Sequence, residues 1–275
     1  MPETEFTPDA RLVRRLIADQ GDDELRRVVA AGVEQVGQGW DNAVFRLGGP
    51  SGPYVARLPV RAAAVGLVEH ELRWLGEVTE PLREGPVRVA EGVLAGRPGA
   101  GYPWPWAVLT WLDGDLVSRL AVPDRNGLAE PLAGALARLH RPAPVDAPDN
   151  PLRAVPLAQR AADVEARWPA VREHLGRDAA DVLRSAWESG LDAPSWDRAP
   201  VWVHGDPHPS NLVHRSGRDL GIVDFGDVTA GDPATDVATA WLTFDAAGRR
   251  RFLDVLLDQG SYDDALEARA AAWAA

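Results

Sequence analysis

The chain has 275 residues, enough for one large domain or two small lobes. It contains no cysteine, which excludes disulfides, thiol nucleophiles and thiolate zinc sites and fits a reducing compartment. The net charge of −12 disfavours nucleic acid as a partner, because nucleic-acid binders carry a basic face.

All 29 basic side chains are arginine, so chemistry that needs lysine must use arginine or go without. No stretch approaches the roughly 18–20 continuous apolar residues of a membrane span. The start, Met1-Pro2-Glu3-Thr4-Glu5-Phe6, is acidic and lacks the apolar core of a signal peptide. These features predict a cytoplasmic protein with no membrane partner.

Thr7-Pro8 reads as an N-cap followed by proline at the first helical position. Leu12, Val13, Leu16 and Ile17 then recur at helical spacing, and a second short helix is expected over about Asp23 to Ala31. Val33 to Val36 alternates, and a glycine-bearing turn, Gly37-Gln38-Gly39-Trp40-Asp41-Asn42, follows it. Ala43 to Leu47 and Tyr54 to Leu58 read as a strand pair around the turn cluster Gly48 to Pro53. Ala62 to Gly76 is helical, with Val65, Val68, Leu72 and Leu75 on one face. One strand is expected over Val87 to Leu94 and another over Ala107 to Leu112, with a Gly/Pro loop from Gly96 to Pro105 between them.

From Asn126 the pattern is mostly helical: Asn126 to His140, Leu157 to Glu173 and Asp178 to Gly190, with a Pro-rich connector over Pro142 to Pro151. Two short strand-like pieces, Val201 to Val203 and Gly221 to Val223, flank a loop, and helices resume from Ala234 through the uncapped end at Trp273-Ala274-Ala275. The order is a helix-then-sheet half, a joint near Thr110 to Asp115, and a helical half with a small β insert. Two lobes around a cleft make a natural ligand site.

The densest polar cluster is His204-Gly205-Asp206-Pro207-His208-Pro209-Ser210-Asn211. Val223-Asp224-Phe225-Gly226-Asp227 follows, then Gly231-Asp232-Pro233 and Asp236 at a helix start. By residue type this is phosphoryl-transfer equipment: one carboxylate to orient an attacking hydroxyl, and the oxygens of Asn211 and Asp224 to hold Mg²⁺ against phosphates. A second chemistry stays open on the same residues. His204, Asp206, His208 and His214 form a His/Asp cluster that would suit a zinc hydrolase.

The joint pattern, His-Gly-Asp-x-His-x-x-Asn, Val-Asp-Phe-Gly-Asp and Gly-Asp-Pro-x-x-Asp, resembles the aminoglycoside phosphotransferase family of small-molecule kinases, which share the protein-kinase fold. The resemblance runs over roughly residues 30 to 260. It implies an α+β fold with a small antiparallel-sheet N-lobe and a mostly helical C-lobe. In that frame, residues 1–109 form the nucleotide-binding lobe, residues 110–115 the hinge, and residues 116–275 the catalytic and acceptor-binding lobe. It also implies ATP or GTP as donor, Mg²⁺ as cofactor, and a hydroxyl of a small molecule as acceptor, an aminoglycoside-type antibiotic or another alcohol such as a macrolide, homoserine or a choline-like compound.

By that resemblance Asp206 is the catalytic base or hydroxyl-positioning group, Asn211 and Asp224 bind magnesium, His204 shapes the loop, and Asp236 braces it from behind. The loop with Gly39 and Trp40 covers the nucleotide phosphates with backbone N–H groups. Arg57 stands where the family usually has lysine, and Glu71 is its expected partner, with Glu69 in reserve. The Thr110 carbonyl and the Leu112 N–H would bond the adenine edge, and Trp104, Trp106 and Trp111 are candidates to line the base pocket. Asp113, Asp115, Asp163 and Glu165 are candidates for binding ammonium groups of an acceptor. A kinase fold that binds nucleotide without catalysis is the remaining alternative.

Overall fold

A computed structural model describes residues 3–216 and 219–275. They form two compact units, one of residues up to Glu77 with Val89–Asp113, the other of Val78–Arg88 with Gly114–Ala275.

The chain begins with α1 (Ala10–Gln20) and α2 (Asp23–Ala31), followed by β1 (Val33–Gln38), β2 (Asn42–Leu47) and β3 (Tyr54–Pro59). Then come α3 (Val65–Thr79), β4 (Val87–Val89), β5 (Gly92–Gly96) and β6 (Trp106–Thr110). The first unit holds an antiparallel sheet in the order β1-β2-β3-β6-β5. The apolar stripe of α1, Leu12, Val13, Leu16 and Ile17, is buried in one core with Phe45, Leu58, Trp106 and Val108 from the sheet. Burial of such a stripe, rather than helix propensity, is what holds a helix of this length.

Two sequence expectations are corrected here. The cap of α1 is Asp9, not Thr7. Its carboxylate accepts the Leu12 N–H at 2.7 Å, which satisfies one of the open donors of the first turn. The run Val87 to Leu94 is two strands, not one, and β4 belongs to a different sheet from β5. The break falls at Glu91, whose N–H donates to the Thr110 hydroxyl and whose carbonyl accepts the Thr110 N–H, each at 2.9 Å.

The remaining elements are β7 (Asp115–Leu116), α4 (Val122–Arg125), α5 (Ala129–Leu139), α6 (Ala161–Leu175), α7 (Arg177–Asp192) and β8 (Val201–Val203). After them come β9 (Leu212–His214), β10 (Leu220–Ile222), β11 (Thr229–Gly231), α8 (Ala234–Val237), α9 (Thr239–Thr243), α10 (Ala246–Gln259) and α11 (Leu266–Ala274). Four short strands pair in the order β4-β10-β9-β7, and β11 pairs with β8. The β insert therefore has more strands than the two expected from sequence; β9 and β11, three residues each, are too short to show a period. α5 is buried along nearly its whole length, as its composition of Leu, Ala and Gly requires. Among the described residues, no helix is long and apolar enough to cross a membrane.

A candidate phosphotransfer site

The loop between β8 and β9 carries the polar cluster, and its shape is set by Asp236 on α8. That carboxylate is fully buried. It accepts the His204 N–H at Oδ2 and the Gly205 N–H at Oδ1, both at 2.8 Å. A third donor is His140 Nε2, 3.1 Å from Oδ2. A buried carboxylate is tolerable only when its lone pairs are matched in this way.

The Tyr262 hydroxyl lies 2.8 Å from the other ring nitrogen of His140. Burial, and secondly the charge of Asp236, push the Tyr262 pKa far above its ordinary value. The hydroxyl therefore keeps its proton. The Asp236 carboxylate can only accept, so in neutral His140 the ring proton sits on Nε2 and Nδ1 accepts from the Tyr262 hydroxyl.

The loop closes on itself through His204. Its Nε2 donates to the Val223 carbonyl at 3.1 Å, and its Nδ1 accepts the Asp206 N–H at 3.2 Å. The ring packs against Phe225 with centroids 4.6 Å apart. Gly205 has φ 90°, and a Cβ there would stand 2.4 Å from the Asp227 carbonyl oxygen, so glycine is required.

Asn211 joins the three carboxylate- and amide-bearing positions. Its Nδ2 donates to the Asp206 carbonyl at 2.9 Å, and its own carbonyl accepts the Val223 N–H at 3.0 Å, one residue before Asp224. Asp224 has φ 68°, an uncommon conformation for a residue with a side chain and one that clusters at functional sites. Asp206, Asn211 and Asp224 are all half-buried. With the Asn211 amide nitrogen on Asp206, its side-chain oxygen remains an acceptor, and oxygen-bearing side chains such as Asn211 and Asp224 are of the chemical kind Mg²⁺ takes.

The same contacts weaken the zinc alternative. Both ring nitrogens of His204 are engaged by backbone. Among the described residues, no three His, Asp or Glu side chains are grouped to hold a metal ion.

One residue near Asp206 escaped the sequence reading. Arg153 Nη2 lies 3.1 Å from Asp206 Oδ1 and 3.7 Å from Asp227 Oδ2. It follows the Pro-rich connector, where the only local signal is the turn-forming pair Asn150-Pro151. Nothing in that pair points to a contact with a residue more than fifty positions on.

In the first unit, Arg57 on β3 reaches Glu71 on α3. Its Nη1 lies 2.7 and 2.6 Å from the two carboxylate oxygens, and both side chains are buried. Glu69, the reserve candidate, is exposed. Gly39 and Trp40 sit at the tip between β1 and β2. The Gly39 N–H closes the tip on the Asn42 carbonyl at 2.9 Å, and Trp40 is 66% exposed. Thr110 ends β6, where its N–H pairs with Glu91, and Leu112 follows two residues later, half-buried.

Of the remaining candidates, Trp106 is too deeply buried to line a pocket, and the others have local partners. Trp106 is a core residue, with its indole N–H on the Arg97 carbonyl at 3.1 Å. Trp104 packs edge-on to Phe6 and Tyr102, and Trp111 is covered by the Arg46 guanidinium 4.6 Å from its ring. Tryptophan's area makes such packing its default use. The four carboxylates considered for acceptor ammonium groups each stand beside an arginine: Asp113 with Arg46, Asp115 with Arg119, Asp163 with Arg160 and Glu165 with Arg184.

The role of Asp236 gives a direct expectation. Asp236→Asn replaces one accepting oxygen by a donor that faces a backbone or imidazole N–H. Hydrogen bonds to charged groups contribute about 1.5–3 kcal/mol each, so chemical denaturation should show a loss of at least about 2 kcal/mol. A variant as stable as the parent would mean that Asp236 does not carry the loop.

Comparison with known proteins gives the family and the fold. Residues 32–273 match APH, the phosphotransferase enzyme family. The protein YcbJ of Bacillus subtilis (strain 168), itself uncharacterised, is 26% identical over 216 residues, covering 74% of this chain and 67% of YcbJ. The GDP and kanamycin complex of APH(2")-IIIa is 20% identical with a TM-score of 0.70, covering 95% of this chain and 87% of that one. The macrolide 2'-phosphotransferase MphH of Brachybacterium faecium is also 20% identical, with a TM-score of 0.60 over 96% of this chain and 88% of its own. At such identities the structural likeness speaks for the fold, which is the α+β fold of the kinase-like aminoglycoside phosphotransferases. With the family match spanning most of its length, the chain belongs to the APH phosphotransferase enzyme family.

Proposed function

We propose that this phosphotransferase moves the γ-phosphoryl group of ATP or GTP to a hydroxyl of a small molecule. An aminoglycoside-type antibiotic is the first acceptor class to test, and a macrolide or a small amino alcohol the second. The observation that carries the reading is the bridging by Asn211, which ties the Asp206 backbone on one side and the residue before Asp224 on the other. Similar structures hold GDP, ATP or ADP, and kanamycin, gentamicin or streptomycin, which supports both the donor and the acceptor class.

In this reading the Asp206 carboxylate accepts the hydrogen of the acceptor hydroxyl and aligns its oxygen. The new O–P bond forms as the bond to the nucleoside diphosphate breaks, and the proton leaves through Asp206. Asn211 and Asp224 would hold Mg²⁺, whose charge offsets that of the phosphates when it is bound. Arg57, oriented by Glu71, supplies a fixed positive charge for the nucleotide phosphates. At the tip the Gly39 N–H is already bonded to the Asn42 carbonyl, so the remaining backbone N–H groups of that loop, such as that of Trp40, would supply the neutral donors. Thr110 and Leu112 offer backbone groups to the base. Residues 1–109 then serve the nucleotide, 110–115 its base edge, and 116–275 the chemistry and the acceptor. Dependence on ATP or GTP accords with a cytoplasmic location.

Asp206→Asn tests the central assignment. It is nearly isosteric, so nucleotide affinity should persist while turnover falls on the order of 10²–10⁴-fold, the range for a positioned acid–base group. Near-normal turnover on every accepted substrate would overturn it.

Arg57 is tested by comparing ATP with adenosine, which lacks phosphates. Arg57→Ala should weaken ATP by roughly 10- to 150-fold, the equivalent of about 1.5–3 kcal/mol for a charge-assisted contact, and leave adenosine much less affected. Arg57→Lys should recover part of the loss. Equal losses for both ligands would make Arg57 a support of its unit alone.

A further inference from the structure

Arg153 stands on a turn fixed from two sides. Its neighbour Ala154 has a left-handed backbone, φ 56°, a conformation that persists in a residue with a side chain only when the surroundings hold it. The Ala154 N–H donates to Thr235 Oγ1 at 2.9 Å, and its carbonyl accepts the Asp232 N–H at 3.1 Å. Thr235 is the residue before Asp236, so the same short helix shapes the Asp206 loop and anchors this turn. Gly231 makes the approach possible, since a Cβ there would lie 2.2 Å from the Ala154 carbonyl oxygen.

On the other side, Asn150 Nδ2 donates to Asp227 Oδ1 and Asn150 Oδ1 accepts the Leu152 N–H, both at 2.9 Å. The guanidinium thus arrives between two carboxylates, as an ion pair 3.1 Å from Asp206 and a longer one 3.7 Å from Asp227. His208 Nε2 is 3.7 Å from Asp206 Oδ2, beyond hydrogen-bond distance.

The rotation of an aspartate carboxylate about its last torsion is broad and roughly two-fold, so Asp206 needs an external partner to hold one orientation. We propose that Arg153 is that partner, a positioning residue for phosphoryl transfer. It occupies Oδ1 of Asp206, stops the carboxylate from turning, and leaves Oδ2 as the oxygen that receives the acceptor's hydroxyl hydrogen. Arginine remains charged throughout the working pH range, so the clamp does not open by titration of Arg153. The proposal rests on the reading of Asp206 as the hydroxyl-positioning group.

The test is a double-mutant cycle on the full-length chain with Arg153→Ala, Arg153→Lys and Asp206→Asn. Phosphoryl transfer from MgATP is followed to the best acceptor of an aminoglycoside, macrolide and amino-alcohol panel, or to water where none is accepted. Arg153→Ala should lower kcat by about 10- to 100-fold, the scale set by a misplacement of roughly 1 Å. The Kd for MgATP should stay within about twofold and Arg153→Lys should restore part of kcat, whereas a general loss of structure would spare neither Kd nor the melting temperature.

In the Asp206→Asn background the same change should cost less than about twofold, because the two side chains act as one unit. An unchanged kcat in Arg153→Ala, or an equal loss in both backgrounds, overturns the proposal while leaving the Asp206 reading intact. Full activity of Asp206→Asn alone overturns that reading, and the positioning role with it. A parent that transfers phosphate neither to an acceptor nor to water defeats both.

Discussion

A charged carboxylate with no solvent contact must be met by donors on every side, and Asp236 is the point where this protein accepts that constraint. Two of its donors are consecutive backbone N–H groups of the loop that carries Asp206, and the third is His140, itself oriented by Tyr262. Removing any of these would leave charge or polarity unmatched in a medium of low dielectric. The loop is therefore held in one shape before any ligand arrives. Such preorganisation is what positioning catalysis needs, because no ordering cost then falls on the reacting state.

Helix α8 bears Asp236, yet it is only four residues long, far too short to be stable by itself. Its position comes from side chains at its ends. Asp232 accepts the Ala234 N–H at 3.0 Å and is bound in turn by the buried Arg269 guanidinium at 2.7 Å. Arg269 also reaches Asp263 and the Pro194 carbonyl. This network, like the Arg57–Glu71 pair, shows the use an arginine-only chain makes of its cations. The planar fork serves several acceptors at once and suits buried pairing better than an ammonium would. Pairs of this kind add little net stability, but losing one partner is expensive.

What could be read from the sequence follows the range over which each signal acts. The residues of the three acidic motifs stood out because their types and spacing are local properties of the chain. Helix α2 was legible for the same reason, since its apolar stripe and its ends lie within one window. The split between β4 and β5 was not, because it depends on the Thr110 hydroxyl nineteen residues further on. Asp9 and Thr7 are both acceptable caps in isolation, and the choice was made by which side chain could meet the Leu12 N–H. Trp104, Trp106 and Trp111 carry no local mark of their partners, so packing decided their roles. Arg153 is the clearest case: its meaning lies entirely in a contact formed across the fold.

Family membership fixes the reaction class as phosphotransfer and leaves the acceptor open, since aminoglycoside and macrolide enzymes share this fold. The reading advanced for this chain is that a hydroxyl, aligned by Asp206, takes the γ-phosphoryl group. Phosphorus-31 NMR of MgATP or MgGTP with the protein and each acceptor class tests this most directly. The account predicts that a phosphomonoester signal from one acceptor grows in step with the nucleoside diphosphate. Nucleoside triphosphate left intact with every acceptor, or a phosphoramidate from an amine in place of an ester, would contradict it.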